Sequence, residues 1–357
     1  MSYKVLVEYY GALNFGDDLF IKVLSERYPD TVFFIVCKNK YSKPLVNMKN
    51  IQVIEPPEYN YFQRLVRKFI GGDYFDSAIQ SRWIKFYETV AKRHDVYINI
   101  GGSIFIDNAS INNRLYGEKV SIFSDMNKFI IGANFGPEKT NVYREKFSKI
   151  FSQFDDVCFR DISSKDKFSN LKNVRHADDV VFNLKVNNFS KVKDSVGVSV
   201  INLENRPELR KYKDRYDEYI LATVRKLISD GKCVTFFSFC KHEGDEDIIN
   251  YYLSNLPSEK IKVVNYDGDM DTFMDMFAKM ESIIATRFHG IILALKNNQK
   301  LIPISYSRKT NSMLNSIQYP HKVPDIAGLK FEHNIDFNPS YTFIPKNEQF
   351  VFLDEVL

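Results

Sequence analysis

The sequence predicts an α/β protein with two domains, each a parallel β-sheet covered by helices on both faces. Short apolar runs typical of buried strands alternate with helical segments along the whole chain. The 357 residues exceed what one ordinary α/β core needs. A polar stretch at 185–193 has no apolar period, and a second series of alternating strands and helices follows it. We therefore expect Rossmann-like domains at 1–188 and 189–357, with the C-terminal tail free to return to the first.

In the first half, strands are predicted where a short apolar run is bounded by polar or turn residues. These strands are 4–10, 32–37, 51–54, 96–100, 128–132 and 156–159. The predicted helices are 17–28, 62–70, 73–93 and 142–154, with Gly71 and Gly72 separating the middle two. Residues 110–125 show no clear periodicity, and we expect an irregular insertion there.

The second half repeats the same alternation. Its predicted strands are 195–200, 233–237, 261–264, 283–285 and 301–304. Its predicted helices are 216–230, 246–253, 271–279, 290–296 and 311–316, and the tail at 348–357 resembles a last helix.

Composition excludes several classes of protein. With 49 basic and 45 acidic residues the net charge is +4, which gives no whole-chain argument for binding nucleic acid. The first residues do not have the pattern of a signal peptide, and no run approaches the roughly 18 apolar residues of a membrane span. We expect a cytoplasmic protein, for which peripheral contact with the inner face of a membrane stays open. Histidines and cysteines lack ligand spacing, so no metal is predicted.

The loop between the first strand and the first helix carries Asn14, Gly16, Asp17 and Asp18. Ligands of open α/β sheets bind beyond the carboxyl ends of the strands, and helix N-termini favour anions. Gly16 would let the backbone approach a ligand closely. The two aspartates are candidates for a general base, but an N-cap and a first-turn acid would explain them equally well.

A second loop, T-R-F-H-G, joins the strand that ends near residue 285 to a helix. Arg287 and His289 are two residues apart, and in extended backbone that spacing aims both side chains to one side. Arginine grips phosphate or carboxylate, and histidine can donate a proton near neutral pH. The alternative is that Arg287 pairs with a carboxylate and His289 caps the turn.

Weaker signals also follow predicted strands, and each has a plain alternative as a turn or an ion pair. Asp178 and Asp179, before an apolar triplet, are interpreted as a turn without chemistry. The remaining candidates for substrate binding are Gly101, Gly102, Ser103, Gly136, Arg160, Tyr306 and Lys309.

The order of these motifs is more specific than any one of them. N-F-G-D-D, G-G-S, G-x-x-x-G-P, R-D-x-S-S, A-D-D-V-V-F and T-R-F-H-G follow one another from about Val5 to about Lys309. This succession resembles the polysaccharide pyruvyltransferase family. Ser103 stands where a third glycine is common in that family and Phe288 where leucine is common, and neither change removes a chemical group.

The resemblance implies a two-domain fold similar to the GT-B glycosyltransferases, with the active site in the interdomain cleft. It implies phosphoenolpyruvate as donor and co-substrate, with no other cofactor. The implied acceptor is a sugar of a cell-surface glycan (an exopolysaccharide, capsule or cell-wall polymer) or of its lipid-linked precursor. The oligomeric state and the acceptor sugar stay open.

The resemblance also implies roles for single residues. Arg160 matches a donor-binding arginine, and Arg287 and His289 match an Arg-x-His pair that holds the donor's phosphate and carboxylate. We expect His289 to be the general acid and Asp17 the general base, and we expect His289→Ala and Arg287→Ala to lose turnover in a folded protein. Two alternatives remain: a nucleotide-sugar glycosyltransferase of similar shape, and a catalytically silent glycan-binding protein on the same fold.

Overall fold

A computed structural model describes residues 3–58, 72–108, 110–346 and 348–357. The predicted helix at 62–70 and Gly71 lie outside the described residues. Contacts divide the chain into two compact units. The first comprises Met1–Gly11, Leu24–Ala177 and Asn347–Leu357, and the second comprises Ala12–Val23 and Asp178–Lys346.

Each unit is built on one sheet in which all paired strands are parallel. The first sheet contains β1 Val5–Glu8, β2 Phe33–Val36, β3 Ile51–Ile54, β4 Val96–Ile100, β5 Asn127–Ala133, β6 Asp156–Phe159 and β7 Val174–His176. The second contains β8 Val192–Ser199, β9 Cys233–Ser238, β10 Ile261–Asn265, β11 Met280–Ala285 and β12 Lys300–Pro303. The predicted α/β class with two parallel sheets is confirmed.

Helices connect the strands, as parallel pairing requires. They are α1 Phe15–Arg27, α2 Gly72–Ala91, α3 Ile111–Ile122, α4 Asn141–Phe151, α5 Ile162–Asp166, α6 Lys213–Ser229, α7 Asp245–Ser254, α8 Met270–Ala278, α9 Phe288–Lys296, α10 Arg308–Ser316 and α11 Val351–Asp354.

Helix α3 corrects the prediction of an irregular insertion at 110–125. Its N-cap is Ser110, whose side chain accepts a hydrogen bond from the backbone N–H of Asn113 at 3.3 Å. The helix buries Asn113 and Lys119 together with apolar side chains. Because two polar residues lie on the buried face, the apolar period that would have marked the helix is broken.

Strand order fixes where loops can form a site. The first sheet has the order β3-β2-β1-β4-β5-β6-β7, and the second has β10-β9-β8-β11-β12. Each order reverses once, between β1 and β4 and between β8 and β11. Loops at such a switch point diverge and leave a crevice beyond the carboxyl ends of the strands. Gly101 and Gly102 follow β4, and Arg287 follows β11, so two predicted motifs lie at the two switch points.

The C-terminal tail packs on the first unit. Arg27 donates two hydrogen bonds to the carboxylate of Asp354, at 2.9 and 2.6 Å. The side chain of Gln349 accepts from the backbone N–H of Gly132 at 2.9 Å and donates to the carbonyl of Ala177 at 3.0 Å. Buried backbone groups of the first unit are thus satisfied by a side chain from the end of the sequence.

Within the described part of the chain, no helix combines the length and the apolar character needed to cross a membrane.

Candidate functional site

The loop before α1 belongs to the second unit and is organised by Asn14. Its side-chain oxygen accepts from the N–H of Gly16 at 3.1 Å, and its carbonyl accepts from the N–H groups of Asp17 and Asp18 at 3.0 and 2.9 Å. Asn14 therefore satisfies the first free N–H groups of the helix, which otherwise lack partners. The loop shape follows from this residue.

Gly16 of this loop lies against the ring of His289. A Cβ atom added at Gly16 would meet the imidazole Nδ1 and would lie 2.7 Å from its Cγ and 2.8 Å from its Cε1. The first and second predicted motifs, far apart in sequence, are therefore in contact. The glycine gives room to a side chain of the protein, where the sequence had suggested close approach to a ligand.

The two aspartates of the loop have different surroundings. Asp18 is fully buried, and its Oδ2 accepts a hydrogen bond from the hydroxyl of Tyr266 at 2.8 Å. Asp17 is only partly buried. This geometry favours a structural role for Asp18 over direct ligand binding, and it leaves Asp17 as the carboxylate of the pair that solvent reaches.

His289 also faces an acidic residue. Its Nε2 lies 3.9 Å from Oδ2 of Asp179, whose side chain is 1% exposed. The other oxygen of Asp179 accepts from the N–H of Val181 at 2.9 Å and caps a short 3₁₀ turn. The ring of Phe20 packs edge-on against the imidazole at 5.4 Å. The A-D-D-V-V-F motif predicts the turn at Asp179, but it gives no sign of the histidine that this carboxylate faces.

Arg287 is buried and paired with two carboxylates. Its Nε donates to Oδ2 of Asp245 at 3.0 Å, its Nη2 donates to Oδ1 of Asp245, and its Nη1 donates to Oε2 of Glu243 at 2.5 Å. Asp245 also accepts from the N–H groups of Phe239 and Cys240 at 3.0 and 3.1 Å. Burial raises the pKa of Asp245 above its ordinary value even beside Arg287. Of the two sequence interpretations of Arg287, the structure shows the ion pair.

Two more cations lie beside this pair. Arg206 binds Oε2 of Glu243 through Nη2 at 2.5 Å, and its guanidinium lies 5.4 Å from the ring centroid of Tyr306. The Lys309 ammonium is 5.9 Å from the Tyr306 ring and 5.9 Å from the Phe288 ring. Burial would raise the pKa of the Tyr306 hydroxyl, but the nearby Lys309 and arginines lower it below its ordinary value.

These residues form one group, which we call the Arg287 cluster. Its members are Asn14, Arg206, Glu243, Asp245, Arg287, Tyr306 and Lys309. Asn14 joins it because its side-chain Nδ2 donates to Oε1 of Glu243 at 3.2 Å. Three cations face two carboxylates, so the cluster keeps an excess of positive charge. Arg206, Glu243 and Asp245 were not predicted, because no motif in the sequence marks them.

The first unit brings a second set of predicted residues together. Arg160 follows β6 and is 5% exposed. A Cβ atom added at Gly102 would lie 2.6 Å from Cζ of Arg160 and 2.8 Å from its Nη1. The side-chain oxygen of Asn134 accepts from Nη2 of Arg160 at 3.0 Å and from the hydroxyl of Ser103 at 3.2 Å. Asn134, which sequence reasoning did not single out, therefore joins the G-G-S loop to the arginine.

The R-D-x-S-S motif is explained by a helix cap. Oδ1 of Asp161 accepts from the N–H of Ser164 at 2.8 Å and from the hydroxyl of Ser163 at 2.6 Å. The cap fixes the start of α5, which directly follows Arg160. The R-D-x-S-S motif therefore fixes the backbone next to Arg160.

The glycines around this group have separate roles. The N–H of Gly101 donates to the carbonyl of Ile131 at 3.2 Å and ends β4. Gly136 has φ +110°, and a Cβ atom there would lie 2.6 Å from Oε2 of Glu138 and 3.3 Å from Nζ of Lys167. A side chain at Gly136 would thus meet Glu138 and Lys167.

No three His, Cys, Asp or Glu side chains in the described ranges are grouped so that they would hold a metal ion.

Known proteins resemble this chain both in fold and in sequence. The UDP-GlcNAc 2-epimerase of Methanocaldococcus jannaschii superposes with a TM-score of 0.57 at 10% identity, covering 100% of this chain and 99% of that one. Anabaena HepE, in complex with UDP and glucose, gives a TM-score of 0.52 at 10% identity, covering 87% and 82%. At this identity the likenesses show the fold alone, which is GT-B-like.

Sequence comparisons are more specific. The chain is 20% identical over 352 residues to the amylovoran biosynthesis protein AmsJ of Erwinia amylovora, covering 87% of this chain and 81% of AmsJ. The model of the polysaccharide pyruvyl transferase family matches residues 14–308, which include every motif from Asn14 to the start of α10. The chain belongs to the polysaccharide pyruvyl transferase family.

Proposed function

We propose that this protein transfers a pyruvyl group from phosphoenolpyruvate to two hydroxyls of a sugar, as a cyclic ketal, in the biosynthesis of a polysaccharide. The observation that carries the proposal is the position of His289, which contacts Gly16 and lies 3.9 Å from Asp179 in the unit that also holds the Arg287 cluster. The family match and the likeness to AmsJ, whose name assigns it to amylovoran biosynthesis, support the same reaction class.

The donor carries a carboxylate and a phosphate, so its binding requires an excess of positive charge. The Arg287 cluster provides such an excess within the second unit. Arginines bind both groups through paired N–H donors, whereas lysine acts as a point charge. We assign Arg287 and Lys309 to the donor and propose Tyr306 as a further binding residue beside them. In the first unit, Arg160, Gly102 and Ser103 are proposed to bind substrate.

The reaction needs one acid and one base. His289 gives a proton to the methylene carbon of phosphoenolpyruvate, and the neighbouring carbon then accepts a sugar hydroxyl, whose proton passes to Asp17. The bond between that carbon and the phosphate oxygen breaks. The second hydroxyl closes the ring, and its proton leaves with the phosphate. A general acid or base of this kind typically contributes about 10²–10⁴-fold in rate.

The test is phosphate release from phosphoenolpyruvate in the presence of β-galactoside, mannosamine and glucosamine derivatives. The expected product gains the mass of one pyruvate less one water. His289→Ala loses turnover, and His333→Ala, which changes an exposed histidine, keeps it. Arg160→Ala weakens substrate binding.

Other outcomes distinguish the alternatives. Release of UDP from a nucleotide sugar with no reaction of phosphoenolpyruvate indicates a glycosyltransferase. Sugar binding without release of phosphate from any pair of substrates indicates a silent glycan-binding protein. Near-full turnover of His289→Ala refutes the assignment of the acid.

A further inference from the structure

Glu243 lies where the cationic groups of the Arg287 cluster converge. Its Oε2 accepts at 2.5 Å from both Nη1 of Arg287 and Nη2 of Arg206. Its Oε1 accepts from Nδ2 of Asn14 at 3.2 Å. Two guanidinium groups and an amide around one carboxylate form a donor set well suited to binding the carboxylate of a ligand.

The two carboxylates that hold Arg287 are not equivalent. Asp245 is fully buried and accepts two backbone N–H groups in addition to the arginine, so its removal would leave those groups without partners. The side chain of Glu243 is 31% exposed. It ends the short 3₁₀ turn Lys241–Glu243, and the donors that its carboxylate contacts are side-chain groups. Rotation of the Glu243 side chain toward solvent would therefore remove it without disturbing the backbone.

Glu243 competes as a full negative charge. Burial would raise its pKa, but Arg287 and Arg206 lower it below its ordinary value, with a further contribution from Lys309. The carboxylate is therefore ionised at neutral pH. Once Glu243 turns away, Nη1 of Arg287, Nη2 of Arg206 and Nδ2 of Asn14 face the same point.

We propose that Glu243 occupies a carboxylate-binding site of the second unit, and that a carboxylate ligand binds there by displacing it from Arg206 and Arg287. The identification of that ligand as phosphoenolpyruvate rests on the proposed function. The chemical class, a small carboxylate, does not. Arg206 thereby becomes a binding residue, and Glu243 becomes an internal competitor that weakens the binding of any anion unable to replace it.

The experiment is calorimetric titration of the full chain with three probes. Phosphoenolpyruvate carries a carboxylate and a phosphate, pyruvate a carboxylate alone, and ethyl phosphate a phosphate alone. If Glu243 fills the site about nine-tenths of the time, Glu243→Gln binds both carboxylates about tenfold more tightly. Ethyl phosphate gains by a smaller factor, because the donors held by Glu243 are arranged around the two oxygens of a carboxylate. Glutamine keeps the oxygen that accepts from Asn14, so the turn is preserved.

Glu281→Gln is the matched control. Glu281 lies in the same unit, is 28% exposed, and pairs with Lys300 at 3.0 Å. We expect it to bind all three probes as the unmodified protein does. Adding Arg206→Ala to Glu243→Gln abolishes the gain, because one of the two guanidinium groups is lost.

Equal or weaker pyruvate binding by a folded Glu243→Gln protein overturns the proposal. If that variant does not fold, Arg206→Ala decides the matter, since unchanged pyruvate binding would then refute it. The proposed function is tested independently of the displacement of Glu243. A gain in pyruvate affinity without turnover of phosphoenolpyruvate refutes the proposed reaction and supports the displacement. Turnover of phosphoenolpyruvate without a gain in the pyruvate affinity of Glu243→Gln refutes the displacement of Glu243 and leaves the proposed reaction standing.

Discussion

Gly16→Ala perturbs the contact on which the proposed acid depends. A Cβ atom at this position would lie 2.7 Å from Cγ and 2.8 Å from Cε1 of His289. Carbon atoms in ordinary contact are about 3.5–4.0 Å apart. The imidazole must therefore move by at least about 1 Å, because its Nδ1 lies closer still and the glycine is held by the start of α1.

The size of the effect on activity follows from that displacement. A misplacement of about 1 Å at a reacting group can cost on the order of 10²-fold in rate. Stability changes less, because alanine gains up to about 1 kcal/mol over glycine within a helix, while overpacking costs about 1–3 kcal/mol. We expect kcat to fall about 10²-fold with a net destabilisation of no more than about 2 kcal/mol.

The assay is phosphate release from phosphoenolpyruvate at saturating substrate, alongside urea unfolding of the same preparation. Gly328→Ala is the matched control, because a Cβ atom added there meets nothing within 4 Å. Unchanged kcat in a folded Gly16→Ala protein would show that the position of His289 does not limit the reaction.

Three further changes test the electrostatics of the site. Asp179→Asn keeps an oxygen for its cap but removes a charge 3.9 Å from Nε2 of His289. The proposed acid then loses the carboxylate it faces, so kcat should fall by about tenfold or more. Arg287→Ala leaves the buried carboxylate of Asp245 without its cation, while Glu243 keeps Arg206, and should cost about 3–5 kcal/mol in urea unfolding. Tyr306→Phe should remove an absorbance change near 295 nm that the unmodified protein shows below the ordinary pKa of tyrosine, because nearby cations lower that pKa.

Each of these has a control and a contrary result. Asp325→Asn alters an equivalent cap, on the N–H of Ala327 at 2.8 Å, and should leave kcat unchanged. Arg210→Ala breaks an exposed pair with Glu204 at 3.1 Å and should cost no more than about 1 kcal/mol. An unchanged kcat in Asp179→Asn, an Arg287→Ala protein as stable as Arg210→Ala, or an unchanged titration in Tyr306→Phe would each contradict the reasoning behind it.

Local patterns in the sequence located most elements. Strands β3, β4 and β6 were predicted with the bounds that the structure gives them, because each is an apolar run flanked by polar residues. Strand β7, Val174–His176, was missed because three residues ending in Arg and His carry no apolar period. The loops that follow the predicted strands could therefore be identified as candidate sites before any contact was known.

Contacts within those loops could not be predicted in the same way. The sequence placed Arg160 and the G-G-S loop after two different strands, and the pairing of β4 with β5 and of β5 with β6 brings them together through Asn134. Asp179 was assigned to a turn because its short-range pattern shows the cap and not the histidine it faces.

The fold class and the motif positions could be predicted from the sequence, since apolar periodicity and turn residues act between near neighbours in the chain. That Gly16 makes room for His289, and that Arg287 is paired with Glu243 and Asp245, became visible with the folded chain. The physical reason is that the charge state and space around a side chain depend on strand order and burial. Those bring together residues that are too far apart in sequence to share a local pattern.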